Sequence, residues 1–218
     1  MVRRYGFAVL AAGAVVLAAL SLSVHSEEPA AAKTSDKARE EFLKGFRRTG
    51  LATTPEDAML LRILVQARRA KRGIEIGSEM GFGAVNMGIG FERNGGHLYT
   101  IEISPRMARI CRENLRKTGL AKTVTCIEGD ALKNLPKLKG TFDFLFLDAL
   151  KSDTLKYLKC VEAKLQPGAV IVTDNAIQSA RAMKDFLDYM RESPNYEMVI
   201  VRASDEKRDG MAVCYKIR

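Results

Sequence analysis

The chain has 218 residues, 47% hydrophobic and 28% charged, with a formal net charge of +9. This composition excludes a disordered chain and a multi-span membrane protein, and the length leaves room for one globular domain with one sizeable core. Lys and Arg are interspersed with acids, as in Arg112/Glu113 and Lys184/Asp185, so the positive charge reads as a solvated surface and no nucleic-acid partner is expected. The four cysteines, Cys111, Cys126, Cys160 and Cys214, form no CxxC or Cys/His cluster of the kind that holds zinc, and read as free thiols.

Arg3 and Arg4 precede an uncharged run from Tyr5 to Val24, after which Ser26, Glu27 and Glu28 follow. Residues 1–26 therefore read as a secretory signal or a single membrane anchor, with the domain on the non-cytosolic side. Residues 27–39, rich in Ala, read as a tether, and 40–218 as the domain. Thr53-Thr54-Pro55 followed by Glu56 and Asp57 is a helix start: a threonine cap, proline in the first turn and early acids. Short apolar runs at 73–76, 98–103, 124–127, 142–147 and 169–173 read as strands. Helical patterns at 84–91, 105–118, 154–165 and 177–191 alternate with them, which predicts a doubly wound parallel sheet covered by helices on both faces. Two further strands, 196–201 and 211–217, flank a charged turn with Asp209 and Gly210 and predict a hairpin forming an antiparallel edge.

Chemistry gathers at the strand ends. The first strand runs into Glu75-Ile76-Gly77-Ser78-Glu79-Met80-Gly81-Phe82-Gly83, where glycines permit positive φ and close approach of a ligand. The same glycines also suit simple packing, and the spacing departs from GxGxxG. Glu102 ends the second strand about 25 residues beyond Gly77, where an acid can accept both ribose hydroxyls of a nucleoside, and Asp130 follows the third. Asp148 follows the fourth strand, and Asp174 with Asn175 the fifth. These are hard oxygen donors suited to a cation such as magnesium; solvated turn acids are the plain alternative.

Together these segments, from about Thr53 to Ile217, resemble the metal-dependent class I S-adenosylmethionine O-methyltransferases, the family of catechol and caffeoyl-CoA O-methyltransferases. The resemblance rests on Thr53-Thr54-Pro55, Ile74-Glu75-Ile76-Gly77, Gly81-Phe82, Thr100-Ile101-Glu102-Ile103, Gly129-Asp130-Ala131, Phe146-Leu147-Asp148-Ala149 and Asp174-Asn175. It implies a seven-stranded sheet with an antiparallel last strand. It implies S-adenosylmethionine held by Thr54, Glu75, Gly77, Glu79, Phe82, Gly83, Glu102, Ile103, Asp130, Ala131 and Asp148. It further implies a divalent cation, Mg²⁺, on Asp148, Asp174 and Asn175, with Lys151 as catalytic base. The implied reaction is methyl transfer to a hydroxyl of a small phenol or catechol, and a homodimer is compatible with the family. Gly83 departs from a serine common in relatives, and the chain lacks the tryptophan that walls the ring in catechol enzymes. The alternatives are a non-catalytic S-adenosylmethionine-binding protein and an RNA methyltransferase. The second is disfavoured because the fourth strand ends in Asp148-Ala149-Leu150-Lys151 rather than an Asn or Asp followed by two prolines and an aromatic.

Overall fold

The computed structural model describes residues 34–49 and 52–218; the expected signal or anchor at 1–26 lies outside them. Among the described residues, no helix is long and apolar enough to cross a membrane. In chain order the elements are α1 (Asp36–Lys44), α2 (Pro55–Arg68), β1 (Arg72–Ile76), α3 (Phe82–Asn94), β2 (His97–Glu102), α4 (Pro105–Lys117) and β3 (Val124–Glu128). There follow α5 (Ala131–Asn134), β4 (Phe142–Leu147), α6 (Thr154–Val161), β5 (Leu165–Thr173), α7 (Lys184–Glu192), β6 (Tyr196–Val201) and β7 (Met211–Lys216). The strands form one seven-stranded sheet in the order β3-β2-β1-β4-β5-β7-β6. β1 to β5 pair in parallel, and β7 runs antiparallel to both β5 and β6.

The two-residue period of β4 explains why the sheet must be covered twice. Leu145 and Leu147 pack on one face with α6 and α7, while Phe144 and Phe146 pack on the other with α2, α3 and α4, and all four are at most 2% exposed. At about 1.5–3 kcal/mol for each large apolar side chain removed from water, this central strand anchors the sheet that holds the site. The hairpin stands at the edge of the sheet as expected; within it β7 inserts between β5 and β6 and leaves β6 outermost. Met211, Ala212 and Cys214 of β7 are buried, whereas β6 exposes Glu197 and Val199, as expected of an inner and an outer strand.

Several element boundaries also differ from the sequence reading, three of them for an identifiable reason. α1 begins at Asp36, inside the stretch expected to be a tether. Ser35 caps it by accepting from the Ala38 N–H, and Arg39, 1% exposed, donates to both Glu92 carboxylate oxygens and to the Thr118 carbonyl. β5 starts at Leu165 rather than 169, since Leu165 pairs with Phe142 across a register shift. The last helix begins at Lys184 rather than 177, because the carboxylate of Asp209 accepts the Ile177 and Gln178 N–H groups and holds that segment in turns.

Candidate active site

Strands β1 to β4 end on one side of the sheet, and their tips open a cavity of about 710 Å³. Its floor is the β1–α3 turn. Gly77 has φ +91°, and a Cβ there would lie 2.2 Å from the Asp148 carbonyl oxygen, so glycine is needed for both conformation and space. Gly81 caps α3 with φ +91° and packs against Cys111. Among the residues expected to hold a cofactor, Gly77, Glu79, Phe82, Gly83, Glu102, Ile103, Asp130, Ala131 and Asp148 line this cavity. Thr54 and Glu75 do not. Thr54 caps α2 by accepting from the Asp57 N–H, and Glu75 lies beneath the floor.

Glu102, 8% exposed, is fixed from two sides: Oε2 accepts the Glu79 N–H at 2.8 Å and Oε1 the Ser104 N–H at 2.9 Å. Each oxygen keeps a second lone pair. Asp130 caps the short α5 through the Leu132 N–H, and Glu79, at φ +49°, hydrogen-bonds Thr49. Glu75 is 1% exposed, and its Oε2 has no hydrogen-bond partner among the described residues. Burial, with the charge of Asp148 adding to it, pushes its carboxyl up to about 8. A Cβ on Gly83 would come within 2.8 Å of Glu75 Oε1, so this acid occupies the space a serine at 83 would need.

Beside the cavity, a second cluster collects acids and amines. Lys151, on a 3₁₀ turn after β4, donates to Asp148 Oδ1 at 2.7 Å. Burial raises the Asp148 pKa above the usual carboxylate range, an effect that Lys151 only partly offsets. Asp174 follows β5 and donates its N–H to the Leu147 carbonyl, which sets it next to Asp148. Asn175, at φ +61°, donates Nδ2 to Asp209 Oδ2 at 2.9 Å, and Asp209 Oδ1 accepts three backbone N–H groups. Burial opposes the Asp209 charge, but the bonds from Asn175 and those amides hold its carboxyl below the usual range. A carboxylate can only accept, so this bond fixes the amide's orientation and leaves Asn175 Oδ1 free as an oxygen donor.

Sequence reasoning missed two participants. Lys207, in the β6–β7 connection, donates to both oxygens of Asp174 at 2.6 and 2.7 Å. It also lies 2.9 Å from Asp57 Oδ2, an ion pair outside hydrogen-bond geometry. Burial works against this ammonium, yet Asp174 and Asp57 keep its pKa above the usual lysine value. Asp57 looked like a first-turn helix acid and Lys207 like part of a solvated turn; no local signal joins residues 150 positions apart. Ser104, Asp153 and Tyr157 also line the cavity, and only their closeness to Glu102 and Lys151 in the chain hinted at it.

The donor set of Asp148, Asp174 and Asn175 suits a hard divalent cation. Among the described residues, no group of three or more His, Cys, Asp or Glu stands together as metal ligands, so any such site depends on the Asn175 oxygen. The cavity suits a nucleoside, because Glu102 offers lone pairs for hydroxyls from a position fixed by two backbone N–H groups.

Comparison with known proteins converges on one family. Residues 27–215 match the family model described as O-methyltransferase. A catechol O-methyltransferase of Mycobacterium tuberculosis is 31% identical over 176 residues, which cover 75% of this chain and 80% of the relative. The crystal structure of cofactor-bound Rv0187 from MTB aligns with TM-score 0.73 and 28% identity, covering 83% of this chain and 88% of that one. The O-methyltransferase TomG of Streptomyces achromogenes, solved with SAM, aligns with TM-score 0.75 at 24% identity over 86% and 93% of the two chains, a likeness of fold.

Proposed function

The chain belongs to the O-methyltransferase family, and from that premise we propose that it transfers a methyl group from S-adenosylmethionine to one hydroxyl of a small catechol, assisted by a divalent cation. The observation that carries this reading is the adjacency of two chemistries: the cavity bounded by Glu102 and Asp130, and Asp148 on its wall, which accepts from Lys151 beside it at 2.7 Å. S-adenosylmethionine would supply a methyl group already activated on a sulfonium, and a divalent cation would supply charge that favours the ionised hydroxyl.

The chain's own residues do the rest. Glu102 accepts hydrogen bonds from the ribose hydroxyls, and its two backbone anchors keep it from rotating away. Gly77 lets the chain pass close beneath the methionine part. Asp148, Asp174 and the Asn175 oxygen would hold the cation, with Asp209 orienting Asn175. Lys151, held by Asp148 Oδ1 at 2.7 Å, is the base that takes the proton of the attacking hydroxyl. Leu150, 62% exposed, and Ile103, 72% exposed, stand at the lip as apolar surface for a ring and an adenine. Alignment of oxygen, carbon and sulfur is the main contribution asked of the protein.

The test is Lys151→Ala. Binding of S-adenosylmethionine, measured by calorimetry, should be unchanged, while turnover of a catechol should fall by about 10² to 10⁴ and recover in part at higher pH, where hydroxide takes the proton. Normal turnover by this variant would remove Lys151 from the reaction. Residues 1–26 as a signal or anchor remain part of the proposal; a reporter fused after Glu28 that is active only in the cytosol would contradict export.

A further inference from the structure

Lys207 lies on the carboxylate that the cation site needs. It belongs to the β6–β7 connection, residues 202–210, which polar contacts tie to the start of α2 and the segment before it. Arg48 Nη2 donates to both Glu206 carboxylate oxygens at 2.8 and 2.9 Å, and Ser204 Oγ donates to Glu56 Oε2 at 3.2 Å. From this connection Lys207 Nζ reaches both oxygens of Asp174 and stands 2.9 Å from Asp57 Oδ2. Asp57 and Asp174 are 1% and 4% exposed, and charged carboxylates so far from water need a cation beside them.

We propose that Lys207 is a tethered cation that competes with a divalent ion for Asp174. The ammonium offsets one of the two charges of the Asp57–Asp174 pair, and a divalent ion gains Asp174 only as Lys207 withdraws. This rests on the assignment of Asp148, Asp174 and Asn175 as a cation site. Magnesium binds carboxylate oxygens at about 2.0–2.1 Å, closer than the ammonium does, and Lys207 spans both oxygens of Asp174, so both cations on that carboxylate would stand a few ångströms apart. In a site this poor in water such repulsion is weakly screened. The lysine can yield: its side chain is 20% exposed on a flexible stem. Asp57, outside the ligand set, gives the ammonium its second anchor and favours the closed arrangement. Cation entry is thereby coupled to the 202–210 connection, and the chain's affinity for divalent ions is weaker than its donor set alone would give.

The experiment is a Mn²⁺ titration of the full chain, read by the electron paramagnetic resonance of free Mn²⁺, in wild type and Lys207→Gln. The variant should bind Mn²⁺ about tenfold tighter or more, with S-adenosylmethionine affinity unchanged, and adding Asp174→Asn should abolish the gain. Equal or weaker Mn²⁺ binding in Lys207→Gln would overturn the role of Lys207 while leaving the cation site standing. Absence of binding in both would overturn the cation site and this proposal together. A second measurement needs no substitution: saturating Mn²⁺ should speed amide hydrogen exchange across residues 202–210 in the wild type, and unchanged exchange there would count against the competition.

Discussion

Glu102 and Glu75 show how two acids of one sheet edge take different roles from their surroundings. Glu102 accepts two backbone N–H groups and faces the cavity, so its remaining lone pairs are oriented before a ligand binds. Glu102→Ala should weaken S-adenosylmethionine binding by about 1–3 kcal/mol, the usual loss when a charge-assisted hydrogen-bond acceptor is removed, and calorimetry measures it. Glu75 has an oxygen with no partner among the described residues, and burial raises its pKa to about 8. Between the ordinary carboxylate value and about 8 the folded chain holds a proton that the unfolded chain releases, so stability falls as pH rises through this window. The ligand-free melting temperature should therefore drop from about pH 4.5 to 8, and Glu75→Gln should flatten that part of the slope. An unaltered slope in the variant would assign the titration to another group. The position of Glu102 at the tip of β2 was legible in the sequence because it follows from strand length alone. The isolation of Glu75 was not, since it depends on how Gly83 and the neighbouring elements close over it.

The β1–α3 turn is the element on which the site depends most. Gly77 approaches the Asp148 carbonyl so closely that the tips of β1 and β4 are in contact. Gly77→Ala places a side chain at φ +91° and 2.2 Å from that oxygen, and should lower stability by roughly 2 kcal/mol or more, several degrees in Tm, together with cofactor affinity. A melting temperature equal to wild type would show that β4 can move aside. Thr54 and Pro55 marked the start of α2 correctly because a cap is a local device. The start of α7 was misplaced because Asp209, more than thirty residues onward, holds residues 177 and 178 in turns. Lys207 and Asp57 escaped notice for the same reason: their pairing exists only once the hairpin folds over α2.

At the scale of the molecule, the alternation of strand and helix and the terminal hairpin were enough to specify a doubly wound sheet with an antiparallel hairpin at its edge, and the family resemblance implied that the last strand is the antiparallel one. What alternation cannot specify is which hairpin strand lies inside, and burial of β7 decides that. The order β3-β2-β1-β4-β5-β7-β6 places Glu102, Asp148 and Asp174 at the ends of β2, β4 and β5 on one side of the sheet, and this arrangement links the proposed nucleoside site to an acid–amine cluster. The most direct measurement incubates the full chain with methyl-labelled S-adenosylmethionine, catechol and magnesium, and follows label into the catechol with and without chelator. Label should appear on one hydroxyl, vanish with chelator and return when magnesium is restored, while a monophenol, offering one oxygen to the cation, should be a poor acceptor. Full transfer in chelator, or binding of S-adenosylmethionine with no label reaching catechol, would contradict the account.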